Sequence, residues 1–373
     1  MYDAIIVGAR VAGAPTAMLL AQAGHDVLLV DRDTFPSDTL STHLIRQEGV
    51  ALLAEWGLLD RVIETGAPPI ARTVANIMGQ DQINEFQSAN GNPAFELCPR
   101  RLALDDVLVQ AAREAGAEVR EGFSVGRLIR DSSGLVTGVE GRDASGETVR
   151  EEAAVVVGAD GRHSRVAREL EGEIDEYELV DPLICGYYTY FSGLPYEDTQ
   201  FRLLPGAAVI GFPTHHDQFC LAVERPADEF GEMRTDIEAY YLGAIQAASP
   251  EMYEAVLKAK REEPYRGTSE QRQYFRKPYG RGWVLLGDAG LHVDPTLGMG
   301  ITKAFTEAAM VAPALSASLS GSQPFEDALA GFHGQRDGLW LPLSRENVGA
   351  SQAVASGRVP TAPSASATVA SAE

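Results

Sequence analysis

Three stretches of the sequence carry residue types suited to holding an anionic ligand. The first is IIVGARVAGAP, residues 5–15. Gly8 and Gly13 stand at the first and third glycine positions of a G-x-G-x-x-G turn, and Arg10 stands where the second would be. In such a turn the first glycine permits a tight strand-to-helix reversal and the third permits close helix–sheet packing. The helix N-terminus then offers N–H groups and a positive dipole end to a pyrophosphate. Val11 and Ala12 complete the turn, and Arg10 must point away from such a ligand or lie across it as a cation. Asp31 follows Gly8 by 23 residues, a spacing that places a carboxylate on a ribose, and it suits a free 2′-OH rather than a 2′-phosphate. By itself this stretch fits a dinucleotide site or a β-α-β unit with glycine turns and no ligand. The second stretch is VVVGADGRHSRVAREL, residues 155–170, with Asp160-Gly161 in its turn. The third is GWVLLGDAGLHVDPTLGMGITKAFTEA, residues 282–308. It holds Gly287-Asp288, then Pro295, then Gly298-Met299-Gly300 at the start of a helix whose dipole favours negative charge.

Each stretch needs a strand behind its turn and a helix after it. YDAIIVG reads as a buried strand, AGAPTAMLLAQAG as a helix closed by Gly24, and DVLLV as the next strand. Pro15 falls in the first helical turn, where N–H groups lack internal partners in any case. Residues 44–66 read as helical, 73–86 as a hairpin, 100–116 as an amphipathic helix and 117–161 as several strands. Residues 183–225 are β-rich and aromatic, and 234–263 read as helical. The segment 349–373 is rich in Ala, Ser, Pro and Thr and poor in large apolar residues, so it is expected to be disordered.

With 373 residues and 45% hydrophobic content the chain has enough apolar material for a core of one large or two smaller domains. A net charge of −22 argues against nucleic acid and against a polybasic membrane patch. No apolar run approaches the length of a membrane span and no leader-like segment precedes the first strand, so no stable membrane insertion is expected. Cys98, Cys185 and Cys220 lie far apart without metal-ligand spacing and read as reduced thiols of a cytoplasmic protein.

Together the three stretches resemble, in order and spacing, the FAD-dependent monooxygenases of the p-hydroxybenzoate hydroxylase type, over roughly residues 2–345. The wider superfamily includes geranylgeranyl reductases and flavin-dependent halogenases. The resemblance implies an α/β fold with an FAD-binding Rossmann-like domain in three parts, residues 1–72, 97–180 and 273–348, the last with C-terminal helices. It also implies an inserted β-sheet substrate domain, made of a hairpin at 73–96 and the segment 181–272. It places the FAD pyrophosphate on Gly8 to Gly13, the adenosine ribose on Asp31, the adenine near Val125, and the ribityl chain on Asp288 beside Gly287. Arg101, from the R-x-x-L-D-x-x-L pattern it forms with Leu104, Asp105 and Leu108, would reach the cofactor. Asp160 and Gly161 are tied to both FAD and NAD(P)H, and Pro295 would lie near the reactive flavin edge. The helix opening at Gly298, Met299 and Gly300 would stabilise negative charge on the reduced ring.

The implied activity is a hydroxylation of an apolar or aromatic small molecule. NAD(P)H would reduce the flavin, and O2 would form the flavin C4a-hydroperoxide that donates OH. Alternatives are a reductase or dehydrogenase of the geranylgeranyl reductase kind, or a flavin- or ligand-binding protein without turnover. Halogenation is disfavoured, because the W-x-W-x-I-P segment and catalytic lysine of that branch have no counterpart; Trp56, Trp283 and Trp340 are scattered. Where many relatives carry an arginine after the second strand, this chain has Ser41, Thr42 and His43. Arg10 is expected to supply the missing cation. His43 would then lie near the flavin, as a tuning or proton-handling group or as a polar packing residue. His215-His216 reads as a turn between strands rather than a metal site, and Arg202 as a possible holder of a substrate carboxylate.

Overall fold

A computed structural model of the chain describes residues 1–88 and 91–361. In chain order its elements are β1 (Tyr2–Val7), α1 (Gly13–Gln22), β2 (Val27–Val30), α2 (Gln47–Glu55), α3 (Leu59–Glu64), β3 (Arg72–Ile77), β4 (Gln80–Glu85), α4 (Arg101–Glu114), β5 (Glu118–Arg120), β6 (Ser124–Arg130), β7 (Val136–Arg142), β8 (Thr148–Gly158), α5 (Arg165–Glu169) and β9 (Glu176–Val180). There follow β10 (Ile184–Ser192), β11 (Thr199–Leu204), β12 (Ala207–Thr214), β13 (Gln218–Pro226), α6 (Phe230–Met233), α7 (Ile237–Ala248), α8 (Pro250–Lys258), β14 (Lys260–Arg261), β15 (Arg266–Thr268), β16 (Gln273–Arg276), β17 (Tyr279–Gly280), β18 (Trp283–Leu285), β19 (Leu291–His292), α9 (Gly300–Leu319) and α10 (Phe325–Ala355).

The first sheet is built on the spatial order β17-β18-β8-β1-β2-β5, with β7 on β8 and β6 on β7. β1 is parallel to both β2 and β8, pairing Ile6 with Leu29 and with Val157. These strands are apolar without alternation because both faces are covered. Ile6, Leu29 and Val157 pack under α1, α4 and α9, whereas Ile5, Leu28 and Val156 pack against the β6–β7 layer and Trp283. All three glycine turns therefore leave neighbouring strands, β1, β8 and β18, at the same C-terminal edge, where open α/β sheets bind ligands.

The second sheet has the order β14-β10-β13-β12-β11-β3-β4, with β15 on β10. The hairpin β3–β4 joins it by parallel pairing of β3 to β11, so two distant segments build one sheet. Leu221 and Val223 face α7 and α8, while Cys220 and Ala222 share the other face with Tyr188 and Tyr190.

Three expectations need correction. Residues 349–355 are not disordered: they complete α10, where Ser351 and Val354 are buried. Their alanines favour helix, and contacts to the second sheet compensate for the lack of large apolar residues. Residues 362–373 of the expected tail lie outside the described residues. The helical stretch 44–66 is two helices, divided at Gly57, whose φ is +70°. The stretch 234–263 is also divided: Ser249 is extended and accepts from the Met252 N–H, ending α7 and capping α8. Among the described residues no helix is long and apolar enough to cross a membrane.

Candidate functional site

A cavity of about 730 Å³ lies between the C-terminal edge of the first sheet and the second sheet. Its wall takes in Gly8, Arg10, Val11, Ala12, Asp31, Ser41, Thr42, His43, Arg101, Val125, Asp160, Gly161, Gly287, Asp288, Pro295, Gly298 and Gly300. Gly13 and Met299, expected beside them, do not reach it. A Cβ on Gly13 would lie 1.8 Å from the Gly8 carbonyl oxygen, so its part is backbone packing; Met299 is buried in a small cluster with Phe275 and Trp340.

The donors on this wall fit a dinucleotide. α1 and α9 both start without a side-chain cap and without an acidic residue in the first turn. Their free N–H groups and positive dipole ends open beside Val11, Ala12, Gly298 and Gly300 and call for an anion. Asp31 accepts from the N–H groups of Ala9 (2.7 Å) and Asp33 (2.8 Å). Burial pushes its pKa up, and those two bonds oppose the shift. Asp160 is used differently. One of its oxygens takes the Ser164 hydroxyl (2.5 Å) and the other the Arg165 and Val166 N–H groups (2.6 and 3.2 Å). Its carboxylate thus ties the turn to α5 rather than reaching for a ligand.

Arg10 does not stand free as the missing cation. Its guanidinium meets the Asp105 carboxylate at 2.6 Å, Asp33 at 3.0 Å and the Ser37 hydroxyl at 2.9 Å. Asp105, fully buried, also accepts from Arg101 Nε at 2.9 Å. The residue that departs from the glycine pattern therefore clamps the turn to α4 and to the segment after β2. Arg10→Ala is expected to destabilise the fold by about 1–3 kcal/mol, because a buried carboxylate loses a charge-assisted bond while keeping Arg101. FAD affinity is expected to fall by less than tenfold. A thermal melt beside a cofactor titration checks both, and a hundredfold affinity loss with an unchanged melt would place Arg10 on the cofactor instead.

Several neighbours of the third stretch carry no sequence signal of their own. Lys303 of α9 is fully buried and donates to the Leu291 carbonyl at 2.6 Å. Its ammonium lies 3.5 Å from Asp288 and 3.9 Å from Glu307. Glu307 accepts the Gly287 N–H at 2.6 Å. Burial pushes the Asp288 carboxyl up, but Lys303 with His292 and Arg162 outweighs it and holds the group below the usual range. Asp294, just before Pro295, takes Gln273 Nε2 (2.6 Å), Asn347 Nδ2 (2.7 Å) and the Ser351 hydroxyl (2.7 Å). α10 thereby fixes the Pro295 loop.

His43 is buried, with φ +68°, a conformation rare outside glycine that marks a position held by its surroundings. Its ring stacks on Tyr190 and exchanges a hydrogen bond from Nε2 with the Tyr190 hydroxyl, while Nδ1 has no partner among the described residues. Burial first, then the Arg101 and Arg100 guanidinium groups, hold its pKa well below 6.5, so the ring is neutral at pH 7. His215 is a structural tie: its ring takes the Arg100 N–H and bonds the Thr65 hydroxyl. Arg202 is turned onto the Val74 carbonyl and Gln200, away from the cavity wall. No metal-holding group of His, Cys, Asp or Glu exists among the described residues.

Residues 1–182 match the FAD binding domain family. Tryptophan 2-halogenase of Chondromyces crocatus is 24% identical over 342 residues, 85% of this chain and 61% of its own length. Squalene epoxidase 4 of Arabidopsis thaliana is 28% identical over 347 residues, 89% of this chain and 66% of its own length. The chain thus spans less than two thirds of either relative. Among solved structures, the myxobacterial chondrochloren halogenase CndH superposes with a TM-score of 0.83 at 21% identity, over 94% of this chain and 82% of that one, a likeness of fold. Residues 1–182 thus match an FAD binding domain, and the fold around the cavity is that of an FAD-dependent halogenase.

Proposed function

We propose that the chain is an NAD(P)H-consuming FAD monooxygenase that hydroxylates an aromatic or polycyclic small molecule. The observation that carries this reading is a single cavity shared by two uncapped helix N-termini and by the aromatic face of the second sheet, with Tyr188 and Ala222 on its wall. Gly8 to Ala12, Asp31, Arg101 and Asp288 would hold FAD, and Val125 would touch its adenine. Bound there, FAD supplies electron storage and oxygen activation. The protein's share is to orient the ring and exclude water. The α9 N-terminus stabilises negative charge beside Pro295. Neutral His43, its Nδ1 unpaired, holds or moves a proton within reach of the cavity, with Ser41 and Thr42 shaping the segment that carries it. Partly exposed Arg162, with Arg165 and Arg168, gives the wall a local positive patch suited to an anionic nicotinamide nucleotide on an otherwise acidic chain.

Halogenation has relatives in its favour but not the cavity wall: Lys258, Lys260, Lys277 and Lys303 all lie off it. The deciding experiment follows NAD(P)H oxidation by the flavin-loaded protein over a panel of phenols, naphthols and quinones under ¹⁸O2. Incorporation of one ¹⁸O into product is expected. Stimulated oxidation with a reduced product and no label would mark a reductase, a halide-bearing product a halogenase, and bound flavin with no stimulation a binding protein.

A further inference from the structure

The cavity wall contributed by the second sheet contains a carboxyl group that no part of the FAD reading uses. Glu224 lies on β13, on the face it shares with Cys220 and Ala222, and is 3% exposed. Its Oε2 takes the Thr296 hydroxyl at 2.8 Å, one residue beyond Pro295, and its Oε1 has no partner among the described residues. Every element packed on it is short of positive charge. β10 and β12 place Gly186 and Ala208 beside it. The β19–α9 loop brings a second buried carboxyl, Asp294, and α10 brings Ser351, whose hydroxyl lies 3.1 Å from that of Thr296. His292 also lines the cavity, and burial pushes its pKa down. The cavity's arginines, Arg10, Arg32, Arg101, Arg162, Arg165 and Arg168, all come from the FAD-binding part of the chain.

A wall with two buried carboxyls and no cation offers nothing to pair with a carboxylate substrate, whose burial there would go uncompensated. We propose, resting on the FAD monooxygenase reading, that the substrate is an uncharged apolar molecule whose carbonyl oxygen accepts a hydrogen bond from the Glu224 carboxyl. Burial, and then the neighbouring Asp294, push the pKa of Glu224 up to about 8, so at pH 7 it carries the proton this bond requires. The sign of the pH dependence follows. The donor is present below pH 8 and lost above it, so affinity for a neutral acceptor falls by about tenfold between pH 7 and pH 9.

The test uses two probes of matched shape, 1-acetylnaphthalene and 1-naphthoate, titrated into the flavin-loaded protein while the flavin absorbance band is followed. The ketone is expected to bind at least tenfold more tightly than the anion at pH 7 and to weaken about tenfold by pH 9. Glu224→Gln keeps an uncharged donor, so in that variant the ketone is expected to bind equally at both pH values. Flavin-loaded protein that takes naphthoate as tightly as the ketone, or a Glu224→Gln variant with the parent's pH dependence, overturns this inference and leaves the FAD reading standing. A parent protein that cannot be loaded with FAD overturns both. The comparison of the two probes on the parent needs no variant to fold.

Discussion

Gly8→Ala is expected to yield a protein that retains no FAD and is destabilised by about 2–6 kcal/mol, the sum of a strained backbone and a forced contact. Gly8 has φ +102°, where a side chain is strained whatever the space around it. A Cβ there would lie 2.5 Å from the Ala159 carbonyl oxygen and 2.8 Å from Asp160 Cα. Both are backbone atoms and neither can swing aside. The turns after β1 and β8 would have to part, and those two turns form adjoining pieces of the same cavity wall. Gly24→Ala is the control. It has φ +88° but nothing within 4 Å of its added Cβ, so it should lose only the backbone share, about 1–3 kcal/mol, and keep its flavin. Thermal melts and the ratio of flavin to protein absorbance separate the two variants. A yellow Gly8→Ala protein with no more destabilisation than Gly24→Ala would mean that the turns adapt.

The contrast between Gly8 and Arg10 shows what local sequence reveals and what it hides. A glycine forced to positive φ acts within its own turn, so the β1-α1-β2 unit and the three glycine turns were legible from spacing alone. Arg10 depends on Asp105, 95 residues away, and nothing near Arg10 announces that partner. The expectation that Arg10 supplies a cation did not foresee these carboxylate partners. Glu224 shows a middle case. The alternation in QFCLAVERP puts it on one face with Cys220 and Ala222, and a charged residue in an apolar alternation is a signal in itself. Which face meets the cavity, however, is decided by how the second sheet docks, and Thr296 stands 72 residues further on. α10 is the same problem in composition. Residues 349–355 look too small to hold a helix, yet Ser351 bonds Asp294 and the Val354 carbonyl accepts the Gly206 N–H. Long-range partners supply what the local residues lack.

Lys303→Met is expected to destabilise the protein by about 3–5 kcal/mol and to empty the flavin site, although Lys303 is not on the cavity wall. Its ammonium is the one cation within 4 Å of both Asp288 and Glu307 among the described residues. Methionine fills similar volume but leaves Glu307 buried and Asp288 without its main counter-charge. Both carboxyls then resist ionising, so their pKa values rise above the unfolded ones. The sign is fixed by that rise. The folded variant binds protons more readily than its unfolded chain, so it gains stability as the pH falls from 8 towards 6, and melts at the two pH values read this directly. The parent lacks this contribution at Asp288, whose pKa lies below the usual range. Glu307→Gln added to Lys303→Met removes the stranded charge and keeps an oxygen for the Gly287 N–H, so the double variant should recover part of the lost stability and be less sensitive to pH. If Lys303→Met melted with the parent and stayed yellow, the Gly287-Asp288 turn would be held by backbone alone. If the double variant regained stability but not flavin, Lys303 would be acting through Asp288, whose carboxylate it keeps charged and in place beside the α9 N-terminus.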